Sequence, residues 1–161
     1  MLSRALLNPP YAFAKVTRDL SRGNVTYSVE EPMLDKADLN NLQRLKNILN
    51  EVLQLKPSEL QSKKAAGEYL VKKCNEIFDN YRFKVKPETR DKLLYYVARD
   101  NLGFGKIDAL MHDPLIEDVS CDGVNVPLYI WHRKFESIPT NIRFETANEL
   151  DTYALRLAYL C

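Results

Sequence analysis

Asp100-Asn101-Leu102-Gly103-Phe104-Gly105-Lys106-Ile107-Asp108 is the stretch at which the pattern of the chain changes. Before it, apolar residues recur every three or four positions, the period of a half-buried helix. After it, short runs of β-branched and aromatic residues are separated by turn residues, the pattern of strands. Gly103 and Gly105 give the backbone the freedom to turn between the two regimes. The charge changes sign at the same place. Residues 36–106 carry 15 basic and 9 acidic side chains, a net +6, whereas residues 107–161 carry 4 and 9, a net −5. Residues 1–35 are balanced at 4 and 4. A basic part followed by an acidic part suggests two structural units with different neighbours.

Upstream of the junction, Asp35 is a candidate N-cap for a helix striped by Leu39, Leu42, Leu45, Leu49 and Val52, closed by Lys56-Pro57. Ser58 and Gln61 have the spacing of a capping box. The helix they would open carries Leu60, Ala65, Tyr69, Leu70, Cys74, Ile77, Phe78 and Tyr81 on one side and Lys63, Lys64, Lys72 and Lys73 on the other. Pro87 and Glu88 suit the first turn of a third helix, with Leu93, Leu94 and Val97 inward and Gly103 as C-cap. Farther upstream, Tyr11 to Thr17 and Val25 to Val29 alternate as strands around Ser21-Arg22-Gly23-Asn24, a predicted hairpin. Two strands alone are unstable in water, so the hairpin is expected to lean on the helices.

Downstream, Ile107 to Met111 reads as a short helix. Val119 to Cys121, Pro127 to His132 and Asn141 to Phe144 read as strands, with Asp122-Gly123 and Lys134-Phe135-Glu136-Ser137 as turns. Thr146 and Glu149 form a capping box for a final helix striped by Leu150, Tyr153, Ala154, Leu157 and Leu160. The expected fold class is therefore α+β: a hairpin plus three-helix unit over residues 1–102, then a small mixed sheet-and-helix unit over 103–161. The absence of a terminating signal near Cys161 reads as a truncated second unit, whose last helix is expected to bury Leu150, Ala154, Leu157 and Leu160 against the sheet.

With 161 residues, 45% of them hydrophobic and only 5 Gly, the composition is that of a globular protein. No run reaches the roughly 20 apolar residues of a spanning helix, and Met1 to Leu7 is too short for a signal peptide, which predicts a cytoplasmic protein. Three widely spaced cysteines, Cys74, Cys121 and Cys161, with two histidines, give no disulfide framework or metal-ligand spacing and are expected as buried free thiols.

The segment Arg99 to Met111, continued by Asp113-Pro114-Leu115-Ile116-Glu117-Asp118-Val119-Ser120-Cys121-Asp122-Gly123, resembles the opening of the second amino-terminal domain of archaeal type II/IV secretion-family ATPases. Pro127-Leu128-Tyr129-Ile130-Trp131-His132-Arg133 and Ser137 to Phe144 continue the likeness. Pro9-Pro10-Tyr11-Ala12-Phe13-Ala14-Lys15 and Tyr27 to Pro32 extend it upstream in collinear order. The resemblance implies the regulatory and assembly module of a hexameric motor for archaellum, pilus or secretion assembly. Its partners would be the catalytic domain of the same parent chain, other copies in a homo-hexamer, and a membrane platform protein. The module would be cytoplasmic, peripheral at the inner membrane face. It also implies that His132 and Arg133 lie toward a nucleotide interface.

ATP and magnesium are expected in the parent and no cofactor in this segment, because catalysis in that family needs a G-x-x-x-x-G-K-[ST] loop. Gly103-Phe104-Gly105-Lys106 does not supply it: the glycines are too close, and Ile107 stands where Ser or Thr belongs. No enzyme activity is expected of the chain alone. Glu117 and Asp118, adjacent on a strand, would point to opposite faces and so form no acid/base pair. The alternative function is a stand-alone electrostatic module in which Lys63, Lys64, Lys72 and Lys73, a face also suited to a membrane platform, meet anionic lipid or nucleic acid. Interspersed Glu59, Glu68, Glu76 and Asp79 weigh against it, and nucleic acid is not an expected partner.

Overall fold

The computed structural model describes residues 1–21, 23–53 and 62–160, with the side chains of 159 and 160 left aside. The fold is α+β. Its strands are β1 (Ser3–Asn8), β2 (Ala12–Arg18), β3 (Val25–Glu30), β4 (Ile116–Ser120), β5 (Pro127–His132) and β6 (Glu136–Arg143). Its helices are α1 (Lys36–Val52), α2 (Lys63–Asn80), α3 (Pro87–Leu102), α4 (Asp108–Met111) and α5 (Ala147–Leu160). Residues 32–105 form one compact unit, and residues 1–31 with 106–161 form the other.

The helical unit follows from its periodicity. Leu42, Leu45 and Leu49 of α1 meet Leu70, Cys74, Ile77 and Phe78 of α2 and Leu93 and Val97 of α3, with Phe83 closing the cluster. Each such side chain contributes about 1.5–3 kcal/mol when fully buried. Asp35 caps α1 through the Asp38 N–H at 2.8 Å. Ser62 caps α2 through the Ala65 N–H at 3.1 Å; the capping box expected at Ser58 and Gln61 lies outside the described residues. Lys46 of α1 and Arg99 both pair with Asp100 of α3. Burial alone would raise the Asp100 carboxyl, but these two cations hold it below its ordinary range. The C-cap residue Gly103 sits in extended backbone, its N–H donating to the Ala98 carbonyl at 3.3 Å.

The sheet unit departs from expectation. Its six strands run β1-β2-β3-β6-β5-β4, so residues 1–31 belong with 106–161 and not, as the pattern suggested, with the helices in a unit 1–102. A two-stranded hairpin leaves a ladder of unpaired amides and carbonyls; here β3 finds β6 in parallel, with Tyr27 opposite Thr140. Among the described residues Tyr27–Thr140 is the single pair in register there. The Asn141 side chain completes the junction, its Oδ1 accepting the Val29 N–H at 2.8 Å and its Nδ2 donating to the Val29 carbonyl at 2.9 Å. β1 adds a strand in a stretch that carries no strand pattern in the sequence. β6 begins earlier than expected, at Glu136, which holds a left-handed φ of 58°.

The buried face of the sheet carries Ala12, Ala14 and Val16, then Tyr27 and Val29, then Ile138, and finally Leu128 and Ile130. Ile107, Ala109 and Leu110 join it from the segment around α4. The opening of α5 uses the foreseen pair: the Glu149 N–H donates to Thr146 Oγ1 at 3.2 Å, and Glu149 Oε2 accepts the Glu145 N–H at 2.9 Å. Its stripe is less buried than expected, with Leu150 and Leu157 half-buried and Ala154 exposed. The Tyr153 ring meets that of Phe144, tilted, with centroids 4.9 Å apart. Leu160 falls among the side chains left aside.

Candidate functional site

Strand alternation in β5 sends Leu128, Ile130 and His132 inward and Tyr129 and Trp131 outward, and Arg133, just past the strand, is exposed. His132 therefore ends the strand buried, 2% exposed, while its neighbour Arg133 stands in solvent with Nε 3.0 Å from Glu117 Oε1. Of the two residues expected toward a nucleotide interface, His132 is thus buried and Arg133 exposed. A β-bulge lies between Ile116 and Asp118, and Glu117 and Asp118 are both exposed.

Around His132 the sheet unit builds a buried polar cluster. The Tyr27 hydroxyl donates to Asp113 Oδ2 at 2.7 Å, and Asp113 Oδ1 accepts the Leu115 N–H at 2.9 Å. Asp113 is 7% exposed, held by the Asp-Pro turn that follows α4. The His132 ring lies between Tyr27, 6.1 Å away, and Phe135, 4.9 Å away. Its Nδ1 accepts the Lys134 N–H at 3.1 Å, so the neutral imidazole carries its proton on Nε2. Burial holds the His132 imidazole below its ordinary pKa, against the pull of Asp113 and with a small push from Lys134. Burial, then the hydrogen bond to Asp113 and its charge, drives the Tyr27 hydroxyl well above the usual tyrosine range. The cluster fixes the crossing of β3, β5 and the turn after α4. Its donor and acceptor are spent on each other, which suits a structural lock better than acid/base work on a substrate.

The Gly103-Phe104-Gly105-Lys106 stretch links α3 to the segment around α4. Gly103 closes α3, and the Lys106 ammonium is committed to Glu149 Oε1 at 2.6 Å and the Arg143 carbonyl at 3.0 Å. Among the described residues there is no group of three or more His, Cys, Asp and Glu side chains that could hold a metal ion. Cys74 is buried, its thiol pushed up to about 12 by burial, whereas Cys121 is exposed, contrary to expectation. Cys161 lies outside the described residues.

The four lysines of α2 do not gather into one basic face. Lys63 and Lys64 are exposed in the first turn, Lys72 is exposed a further two turns along, and Lys73 is half-buried with Nζ 2.8 Å from Glu76. The groove along the helix that takes in Val71 and Lys72 is also lined by Glu68, Glu76 and Asp79. Carboxylates therefore interrupt the positive potential within one helix turn.

Pattern reading missed Tyr27 and Asp113. Asp113 stands before Pro114, where a turn alone accounts for it, and nothing in the spacing of residues 27 and 113 announces their contact. The outward Tyr129 and Trp131 were legible in the alternation around His132 but were not singled out.

The chain defined by this geometry is an α+β protein with a helical unit and a six-stranded sheet unit. No family model matches it. It is 41% identical over 135 residues to the uncharacterized protein MJ1288 of Methanocaldococcus jannaschii, covering 84% of this chain and 53% of that protein. It is 31% identical over 152 residues to the uncharacterized protein MJ0900 of the same organism, covering 81% of this chain and 27% of that one. The chain thus spans about half the length of the first relative and about a quarter of the second. Among the described residues no helix is long and apolar enough to cross a membrane.

Proposed function

We propose that this chain is an amino-terminal regulatory and assembly module of the archaeal secretion-ATPase type, working beside a catalytic domain that supplies ATP and magnesium chemistry. The observation that carries the proposal is the collinear run from Arg99 through Gly123 to Phe144. Those residues include the end of α3, α4 and β4 to β6 in uninterrupted order. The lengths of MJ1288 and MJ0900 support the reading, since each has residues beyond the matched region. In this view the module works by rigid-body engagement with neighbours, and nucleotide turnover belongs to the partner domain. Homo-hexamer formation and contact with a membrane platform are part of the same proposal.

The test is hydrolysis and assembly in the longer relative. Whole MJ0900 is expected to hydrolyse ATP with magnesium and to form rings, and deletion of its matched region to impair ring formation. The present chain alone is expected to release no phosphate above buffer. A whole relative that neither binds ATP nor assembles would overturn the proposal.

A further inference from the structure

The outer face of β5 carries two large aromatic side chains with no cover. Trp131 is 49% exposed and Tyr129 is 37% exposed. Two positions apart on one strand, they share a face with their Cα atoms about 7 Å apart. Together they leave on the order of 200 Å² of ring surface in water, from the usual areas of such side chains. The register puts Asp118 of β4 directly opposite Trp131, and Ser120 opposite Tyr129. On the other side stand Ser137 and Pro139 of β6. Cross-strand partners share a face, so the Asp118 carboxylate borders the Trp131 ring.

Six other rings already carry a cation: Phe13, Phe83, Tyr69, Phe78, Tyr96 and Phe144 each have an arginine or lysine within 6.0 Å. Among the described residues no cation is stacked on Trp131 or Tyr129, and the Asp118 carboxylate makes no hydrogen bond or ion pair. The nearby Arg133 is held by Glu117. Charged residues of β4 and its following turn, Glu117, Asp118 and Asp122, are all acidic. An uncovered electron-rich ring beside an unpaired carboxylate is complementary to a cation. A guanidinium suits it best, because its plane stacks on indole while its edge donates to a carboxylate.

We propose that Trp131, Tyr129 and Asp118 form a docking surface for an arginine-bearing extended segment of a partner protein. This surface is independent of the ATPase reading above. The guanidinium lies over Trp131 and donates to Asp118, and the flanking backbone runs past Tyr129 and the serine rim. Pairing onto the edge of β4 is not the mode, since the bulge at Glu117 and the row of acids blunt that edge.

Trp131 is the single tryptophan of the chain, so its indole N–H resonance reports on this surface without ambiguity. The probe is the peptide acetyl-Gly-Arg-Gly-Arg-Gly-amide, titrated against the whole ¹⁵N-labelled chain, with the citrulline peptide as its uncharged isostere. A saturable shift at millimolar peptide is expected, at least about five-fold weaker for citrulline. Asp118→Asn, at an exposed position, is expected to weaken binding about three- to ten-fold. Asp151→Asn, exposed on α5, tests general charge and is expected to leave affinity unchanged. Equal binding of the citrulline peptide, an unaffected Asp118→Asn, or no saturable shift would each overturn the proposal. So would a Trp131 shift that depends on protein concentration without peptide, which would mean that a second copy occupies the face.

Discussion

Replacing Tyr27 by Phe removes one oxygen atom and tests whether the buried cluster holds the sheet unit together. The Tyr27 hydroxyl donates to Asp113 at 2.7 Å, and the acceptor is almost wholly removed from solvent. A hydrogen bond to a charged group contributes about 1.5–3 kcal/mol, and an acceptor stripped of its donor in a buried site costs a similar amount. Asp113 keeps the Leu115 N–H, so its desolvation is not fully uncompensated. The expected loss is therefore about 2 kcal/mol. Urea unfolding followed by Trp131 fluorescence measures it, because Trp131 lies in the same sheet unit as Tyr27. Asp113→Asn keeps an acceptor but removes the charge, and the double variant should show a coupling of about 1–2 kcal/mol between the two sites. Alkaline pH gives an independent check. The folded pKa of Tyr27 is raised above its unfolded value, so this stabilisation is fully present below about pH 10 and is lost as pH rises further. Tyr27→Phe should flatten that alkaline loss. A Tyr27→Phe change below about 0.5 kcal/mol with no coupling to Asp113 would refute the reasoning, since surface substitutions commonly fall in that range.

Asn141→Ala removes both side-chain bonds to Val29 and should cost about 2 kcal/mol, with faster hydrogen exchange at the Val29 amide by NMR. In the helical unit, Leu45→Ala should cost about 3–5 kcal/mol by urea unfolding followed with far-UV circular dichroism, because Leu45 is wholly buried among α1, α2 and α3. His132 has a folded pKa below its unfolded value, so the unfolded chain takes up the proton first and stability falls as pH drops below about 6.5. His132→Gln should reduce the stability difference between pH 7.5 and pH 5. Arg82 follows the C-cap of α2 at a φ of 52°, and Arg82→Gly should raise stability by about 0.5 kcal/mol in the same urea assay.

The helical unit was legible because its information is local. Asp35 and the Leu42-Leu45-Leu49 spacing specify a capped amphipathic helix from one stretch of chain, and Pro87 and Gly103 bound α3 in the same way. The β5 strand and the Thr146–Glu149 pair were equally plain. The partnership of residues 1–31 was not, because strand pairing depends on which distant strand presents a matching edge. Hairpin periodicity is satisfied with or without β6. The pairing of β6 with β3 is likewise not local: the side chain of Asn141 reaches across to both backbone groups of Val29, 112 residues away. The buried cluster has the same origin. Tyr27 and Asp113 are 86 residues apart, and each has an ordinary local explanation, as an inward strand residue and as a turn acid. Their hydrogen bond exists because the β3–β6 pairing brings them together. Sequence alone thus determined the three long helices, the β2–β3 hairpin, β5 and the end of the helical region, but neither β1 nor the start of β6. Tertiary structure decided which strands share a sheet, that His132 turns inward while Arg133 meets Glu117, and that Trp131 and Asp118 stand side by side in solvent.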